Sequence, residues 1–136
     1  MPGREGAQAS LEYIITLCAA LAFILASIGF FGELKEGALF ALDVQNAKGF
    51  AQRLDAQART LALLGDGSQS AIEAQIIGEW KIHNGPQGGR IIVTAPSGKT
   101  AAIALPPEIA NAPEKALRKK ISATLEKAGT AILWRE

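Results

Sequence analysis

Cysteine and histidine each occur once in 136 residues. A single cysteine, Cys18, cannot close an intrachain disulfide, so an exported domain of this size depends on core packing alone. One histidine, His83, and one cysteine inside an apolar run cannot assemble a His/Cys metal cluster. A Cys–His dyad would require the two to meet across a membrane boundary. No metal and no cofactor are expected. Excess charge is also missing: the net value is +1, which speaks against a nucleic-acid surface or an acidic tail. Proline is absent between Pro2 and Pro86, leaving a long stretch that no proline interrupts. The most informative gap is in charge along the chain, because none occurs between Glu12 and Glu33.

That gap reads YIITLCAALAFILASIGFFG. As a helix rising about 1.5 Å per residue it spans about 30 Å, the hydrocarbon thickness of a bilayer. It is longer than the apolar region of about 7–15 residues in an ordinary cleaved secretory signal. Ala19, Ala22, Ala26 and Gly29 recur at steps of three and four, placing small side chains on one face where another helix could approach. Arg4 precedes the run while Glu33, Lys35 and Glu36 follow it, which favours a single pass with the N-terminus inside.

Beyond Gly32 the pattern changes but the helix is expected to continue. Phe40, Val44, Ala47, Ala51, Leu54, Ala58 and Leu61 alternate steps of four and three, with Gln45, Lys48, Gln52, Arg53, Asp55 and Arg59 between them. This is an amphipathic helix with one buried stripe. LGDGS should end it, with Gly65 suited to a left-handed cap. One helix is therefore expected over about 9–64, with a possible kink near Gly29 to Gly37.

The remainder reads as a small β-rich head. SAIEAQIIGEWKIHNG alternates, with Ile77 the main exception, and predicts one half-buried strand that turns Ile72, Ala74, Ile76, Trp80 and Ile82 inward. RIIVTA and AAIAL follow as two more strands, separated by turns at NGPQGG and APSGKT. Residues 114–128 fit two readings. Leu117, Ile121, Leu125 and Ala128 would suit a helix starting near Pro113. Alternatively Ile121, Ala123 and Leu125 alternate along a strand, and KAG turns into TAILWR as a second hairpin arm. Helix propensity favours the first reading; the head is read here with the second. The fold class is α+β: a long N-terminal helix, transmembrane then amphipathic, packed on a small antiparallel sheet.

Other motifs carry little chemistry. His83 falls on the polar face of a strand, with no Ser or Asp arrangement around it. GDGS and GPQGGR lack phosphate-loop spacing. LRKK, residues 117 to 120, reads as a solvated face. Trp80 and Trp134 suit the core. No enzyme is expected.

The opening residues MPGREGAQASLEYIITL resemble the class III signal peptide of archaeal type IV pilin-like proteins. In that family a short hydrophilic leader and a small residue precede Gln-x-Ser-x-Glu, which leads into the apolar helix. Here Gln8, Ser10 and Glu12 match it, with Tyr13 next. The resemblance implies a leader of residues 1–7, a helix over 8–64 and a head over 65–136. It implies cleavage by a prepilin peptidase between Ala7 and Gln8, with a cut after Gly6 as the alternative. Glu12 would then occupy the fifth mature position. Two features depart from the pattern: the leader has a single basic residue, Arg4, and Ala7 stands where many members have glycine. Implied partners are the membrane, the peptidase and other pilin subunits, identical or not, with no nucleic acid. The implied localisation is the archaeal cell membrane for the precursor and an extracellular filament after assembly, with adhesion as its use. Physically, a cut before the apolar run keeps that helix in the mature protein, where copies can bury one another. Glu12 would be costly at depth unless paired, and a neighbouring subunit's terminal ammonium could pair with it and set register. The rival readings are a single-pass membrane protein with a binding or sensing head, and a secreted small enzyme.

Overall fold

The structure is a computed structural model. It describes residues 3–85, 88–110 and 112–135, and for residues 3–7 and 110 the backbone alone. The architecture is α+β. One helix, α1, spans Gly3–Leu63, and helical hydrogen bonding is unbroken through Gly29, Gly32 and Gly37. It thus begins before the expected start at Ala9. Eight strands follow: β1 (Gln69–Gln75), β2 (Glu79–Gly85), β3 (Gly88–Thr94), β4 (Thr100–Ala104), β5 (Ile109–Ala110), β6 (Ala116–Leu117), β7 (Lys120–Ala128) and β8 (Ala131–Arg135). The chain divides into two compact units, residues 1–35 and residues 36–136.

In the second unit the amphipathic stripe is buried as its spacing requires. Ala47, Ala51, Leu54, Ala58 and Leu61 are buried, while Phe40 and Val44 pack at the margin. Phe50, which the stripe omitted, is equally buried. Its ring lies 6.1 Å from Trp80 and 5.9 Å from Trp134, centroid to centroid. Those tryptophans belong to different sheets, so one phenylalanine joins the helix to both.

The sheets have the orders β1-β7-β8-β5 and β4-β3-β2-β6. All pairings are antiparallel except the short β5–β8 pair. Residues 114–128 contain no helix: β6 and β7 occupy them, and β7 pairs with β8 as a hairpin turning at Gly129. Burial decides this, since Ile121, Ala123, Leu125, Ile132 and Trp134 all enter the core at strand spacing. A helix would have left Ala123 off its buried face.

The expected single strand over 70–85 is corrected. It divides into β1 and β2, which lie in different sheets. Gln75 lies opposite Lys120, whereas Trp80 lies opposite Leu117. Five steps on one side therefore match three on the other, and the two extra residues form a bulge at the corner. Because the excess is even, Ile72, Ile76, Trp80 and Ile82 all still face the core, which is why the pattern looked continuous. The bulge frees the amides of Ile77 and Gly78, and Asp43 takes both. Its Oδ1 accepts from Ile77 N–H at 3.1 Å and from Trp80 Nε1–H at 2.8 Å; its Oδ2 accepts from Gly78 N–H at 3.0 Å. Asp43 is the one buried charged residue among those described, 2 % exposed. Gly78 sits in close quarters: a Cβ there would meet Asp43 Oδ2 at 3.1 Å and Thr94 O at 3.2 Å, so both would have to give by a few tenths of an ångström. Across the corner, Lys119 is left-handed (φ 76°) and its carbonyl accepts from Ile76 N–H at 2.9 Å. The LRKK run is consumed here, with Arg118 bound to Glu79 and Lys120 to Glu73.

The helix C-terminus is also corrected. Gly67 (φ 85°), rather than Gly65, adopts the left-handed conformation. Lys127 Nζ donates to the carbonyls of Ala62 and Leu64, placing a cation against the negative end of the helix. Near the unit's other end, Glu36 Oε1 accepts from Ser97 N–H at 2.7 Å, tying the β3–β4 turn to α1. Hydrogen bonds from Ser97, helped by the field of Lys99, hold the Glu36 carboxyl below the usual carboxylate range. This contact stabilises the head above the ordinary carboxylate pKa, and the contribution is lost as pH falls through the lowered value. Between about pH 5 and pH 3 the thermal midpoint of Glu36→Gln should therefore vary less than that of the unaltered chain. Circular dichroism melts across that range check it; identical pH profiles would remove the role.

Candidate functional site: the exposed apolar segment of the helix

Among the described residues the first unit consists of helix alone. Every large apolar side chain from Leu11 to Leu34 is about half exposed or more, reaching 70 % at Tyr13 and 74 % at Phe23. They occupy all sides of the helix, so no single amphipathic face explains them. Burying such side chains is worth about 1.5–3 kcal/mol each. Even at half value, a dozen of them together amount to about 9–18 kcal/mol, as large as the whole stability of a typical domain, about 5–15 kcal/mol. Such a segment gains by leaving water for an apolar surrounding. The most apolar 18-residue window of α1 has a mean hydropathy of 2.5, and none of it is buried. By length and composition the helix can cross a membrane.

Its polar groups are arranged accordingly. Thr16 Oγ1 donates to the Glu12 carbonyl and Ser27 Oγ to the Phe23 carbonyl, each at 2.8 Å. Both hydroxyls are thus satisfied within the helix itself, as lipid demands.

Gln8, Ser10 and Glu12 are exposed on α1, with Gln8 and Glu12 about one turn apart on one side and Ser10 on the other. Among the described residues the Glu12 side chain has no hydrogen-bond or ion-pair partner. The bond between Ala7 and Gln8 lies within the helical span. Of the expected leader, Met1 and Pro2 and the side chains of residues 3–7 lie outside the described residues. Ala19, Ala22, Ala26 and Gly29 are all exposed, and a Cβ built on Gly29 would meet nothing within 4 Å. Within the first unit the leader motif and the small-residue stripe are thus solvent-exposed. Cys18 is exposed on the same segment.

The remaining candidates stay separate from this segment. His83 Nδ1 lies 3.2 Å from Glu114 Oε1 on the head surface. Among the described residues no group of three or more His, Cys, Asp or Glu converges. Trp80 and Trp134 are buried. Asp43 was missed in the sequence, although it offers a signal: it is a carboxylate three residues after Phe40 and four before Ala47, on the buried stripe.

The chain matches no family model, no curated protein and no solved structure.

Proposed function

We propose that this chain is a structural subunit, and not an enzyme, of an archaeal type IV pilus-like filament. It is held first in the membrane by its N-terminal helix and then assembled through the same helix after a prepilin peptidase removes residues 1–7. One observation carries the reading: a helix apolar on every side over Tyr13–Phe31 begins directly after Gln8, Ser10 and Glu12, and leads into a head that buries only its second half. Such a segment needs a covering medium, and both lipid and a bundle of identical helices supply one. A filament also gives the small stripe Ala19, Ala22, Ala26 and Gly29 a use, because it lets neighbouring helices approach closely. Glu12 sets the axial step by pairing with the terminal ammonium of the subunit beside it.

The mature N-terminus is the test. Co-expression with an archaeal prepilin peptidase should yield a chain that begins at Gln8, read by N-terminal sequencing or intact mass. A start at Met1 would favour a single-pass anchor with a sensing head, and a start past residue 30 would sink both. Glu12→Gln should still enter the membrane. Its incorporation into filaments should fall by about tenfold or more, since a hydrogen bond to a charged group is worth about 1.5–3 kcal/mol. Quantitative blotting of sheared filaments reads this, and unchanged incorporation would remove the register role.

A further inference from the structure

The two sheets end in four outer strands, and two of them, β5 and β6, are only two residues long. The longer two differ in how their free edges are treated. At β1 the outward main-chain groups belong to odd-numbered residues, because Ile76 N–H donates to Lys119 O and Lys127 N–H to Ser68 O. The helix covers the end of that edge: Asn46 Nδ2 donates to the Gln75 carbonyl at 3.5 Å, and Asp43 takes the Ile77 amide. Glu73 adds a charge, paired with Lys120 at 2.7 Å.

Among the described residues β4 has none of this. Ala95 N–H donates to Lys99 O and Leu105 N–H to Gly89 O, each at 2.8 Å, on either side of its ladder with β3. In that register the N–H and C=O groups of Thr100, Ala102 and Ala104 turn away from β3. Their side chains are exposed. The strand, TAAIA, contains neither the charge nor the proline that usually guards an edge. Beside it a groove of about 400 Å³ separates Ile103 and Leu105 from Lys48, Gln52 and Asp55 of α1.

We propose that β4 is a pairing edge for a second copy of this chain, the two β4 strands running antiparallel about Ala102. The edge is self-complementary. Ala102 meets Ala102 of the second copy, and Thr100 meets its Ala104, so small side chains face small ones and no like charges oppose. On the inner face, half-buried Ile103 gains Ala101 of the second copy. Charge adds one contact: Lys99 of the second copy falls opposite Leu105, at the groove where Asp55 offers a carboxylate beside Gln52 and Lys48, and the two-fold repeats it. Asp55 already holds Arg59 at 3.1 Å but keeps acceptor capacity. An extended peptide from another protein could pair with the same main-chain groups, but it would not place two copies of residue 102 together.

The symmetry also fixes polarity. Glu36 contacts Ser97 just before β4, and Asp55 shares a groove with Leu105 just after it. Residues 36–55 of α1 thus run alongside β4 in the same direction, and the two-fold reverses them between copies. The pairing therefore joins subunits of opposite direction. On the filament reading, on which this last step rests, it is a contact between filaments rather than along one filament.

The test uses the full chain in detergent with Cys18→Ser. Ala102→Cys should form a disulfide-linked dimer on mild oxidation, since paired residues sit about 5.5 Å apart, within disulfide range. Ala71→Cys, exposed on the outward edge of β1, should cross-link about tenfold more slowly or less. Equal rates would overturn the pairing. Separately, Ala102→Lys should lower the dimer fraction of the chain in detergent, read by sedimentation, without changing the melting temperature. An unchanged dimer fraction would overturn the pairing. Neither result depends on the mature N-terminus, so the pairing and the filament reading can fail independently.

Discussion

Asp43→Ala should destabilise the head by about 3–5 kcal/mol, as expected when one partner of a buried, hydrogen-bonded charge is removed. The loss comes chiefly from the groups left behind. The amides of Ile77 and Gly78 have no ladder partner because the β1–β2 side of the corner is two residues longer than the β6–β7 side. Trp80 Nε1 lies in the core with the same carboxylate as acceptor. Alanine offers these three donors nothing, and the site is too enclosed for bulk water to replace the oxygens. For a unit of about 100 residues this corresponds to a midpoint lowered by roughly 12 °C or more. Asp43→Asn should cost less, because its carbonyl oxygen can still serve Ile77 and Trp80, while its amide group faces Gly78 N–H donor to donor. Thermal melts of the full chain in detergent, followed by the near-ultraviolet signal of the tryptophans, would resolve the three proteins. A midpoint within 3 °C of the unaltered chain for Asp43→Ala would show that the corner closes without the carboxylate.

The second large effect concerns the exposed segment. Leu21→Arg combined with Ile24→Arg should move the chain out of the membrane fraction. Each arginine near the centre of a spanning helix costs about 2.5–3.5 kcal/mol on insertion scales. Two such costs together should shift partition by three orders of magnitude or more, at about 1.4 kcal/mol per factor of ten. Leu21 and Ile24 touch nothing in their own unit beyond the helix and are about half exposed, so the head should fold unchanged. Alkaline extraction of membranes, with the head's melting temperature as control, separates the two effects. A doubly substituted chain that stays in the carbonate-resistant pellet would mean that the segment is not held by lipid.

These predictions lie on opposite sides of what could be read from composition and spacing. The apolar segment was legible because its signal is local: a helix satisfies its own main chain, so the uncharged interval between Glu12 and Glu33 needs no distant partner to be interpreted. The buried stripe from Phe40 to Leu61 was legible for the same reason, with its period set by the helix. Strand alternation also survived, since Ile72, Ile76, Trp80 and Ile82 do face inward. The bulge at Ile77 and Gly78 left only Ile77 as an exception to the alternation, because an insertion of two leaves the period of two intact on either side. Phe50 falls at the margin of the stripe, and only the arrival of two tryptophans from different sheets makes it central.

The sequence by itself determined an N-terminal helix apolar on every side, a helical stripe that must be covered, and a β-rich head to cover it. Each follows from periodicity and polarity within one element. Only the tertiary structure decided that residues 114–128 are strands, that one apparent strand serves two sheets, that Asp43 closes the corner between them, and that β4 is left with a bare edge. Those outcomes depend on which main-chain donors lack partners once distant segments meet, and no local pattern records that.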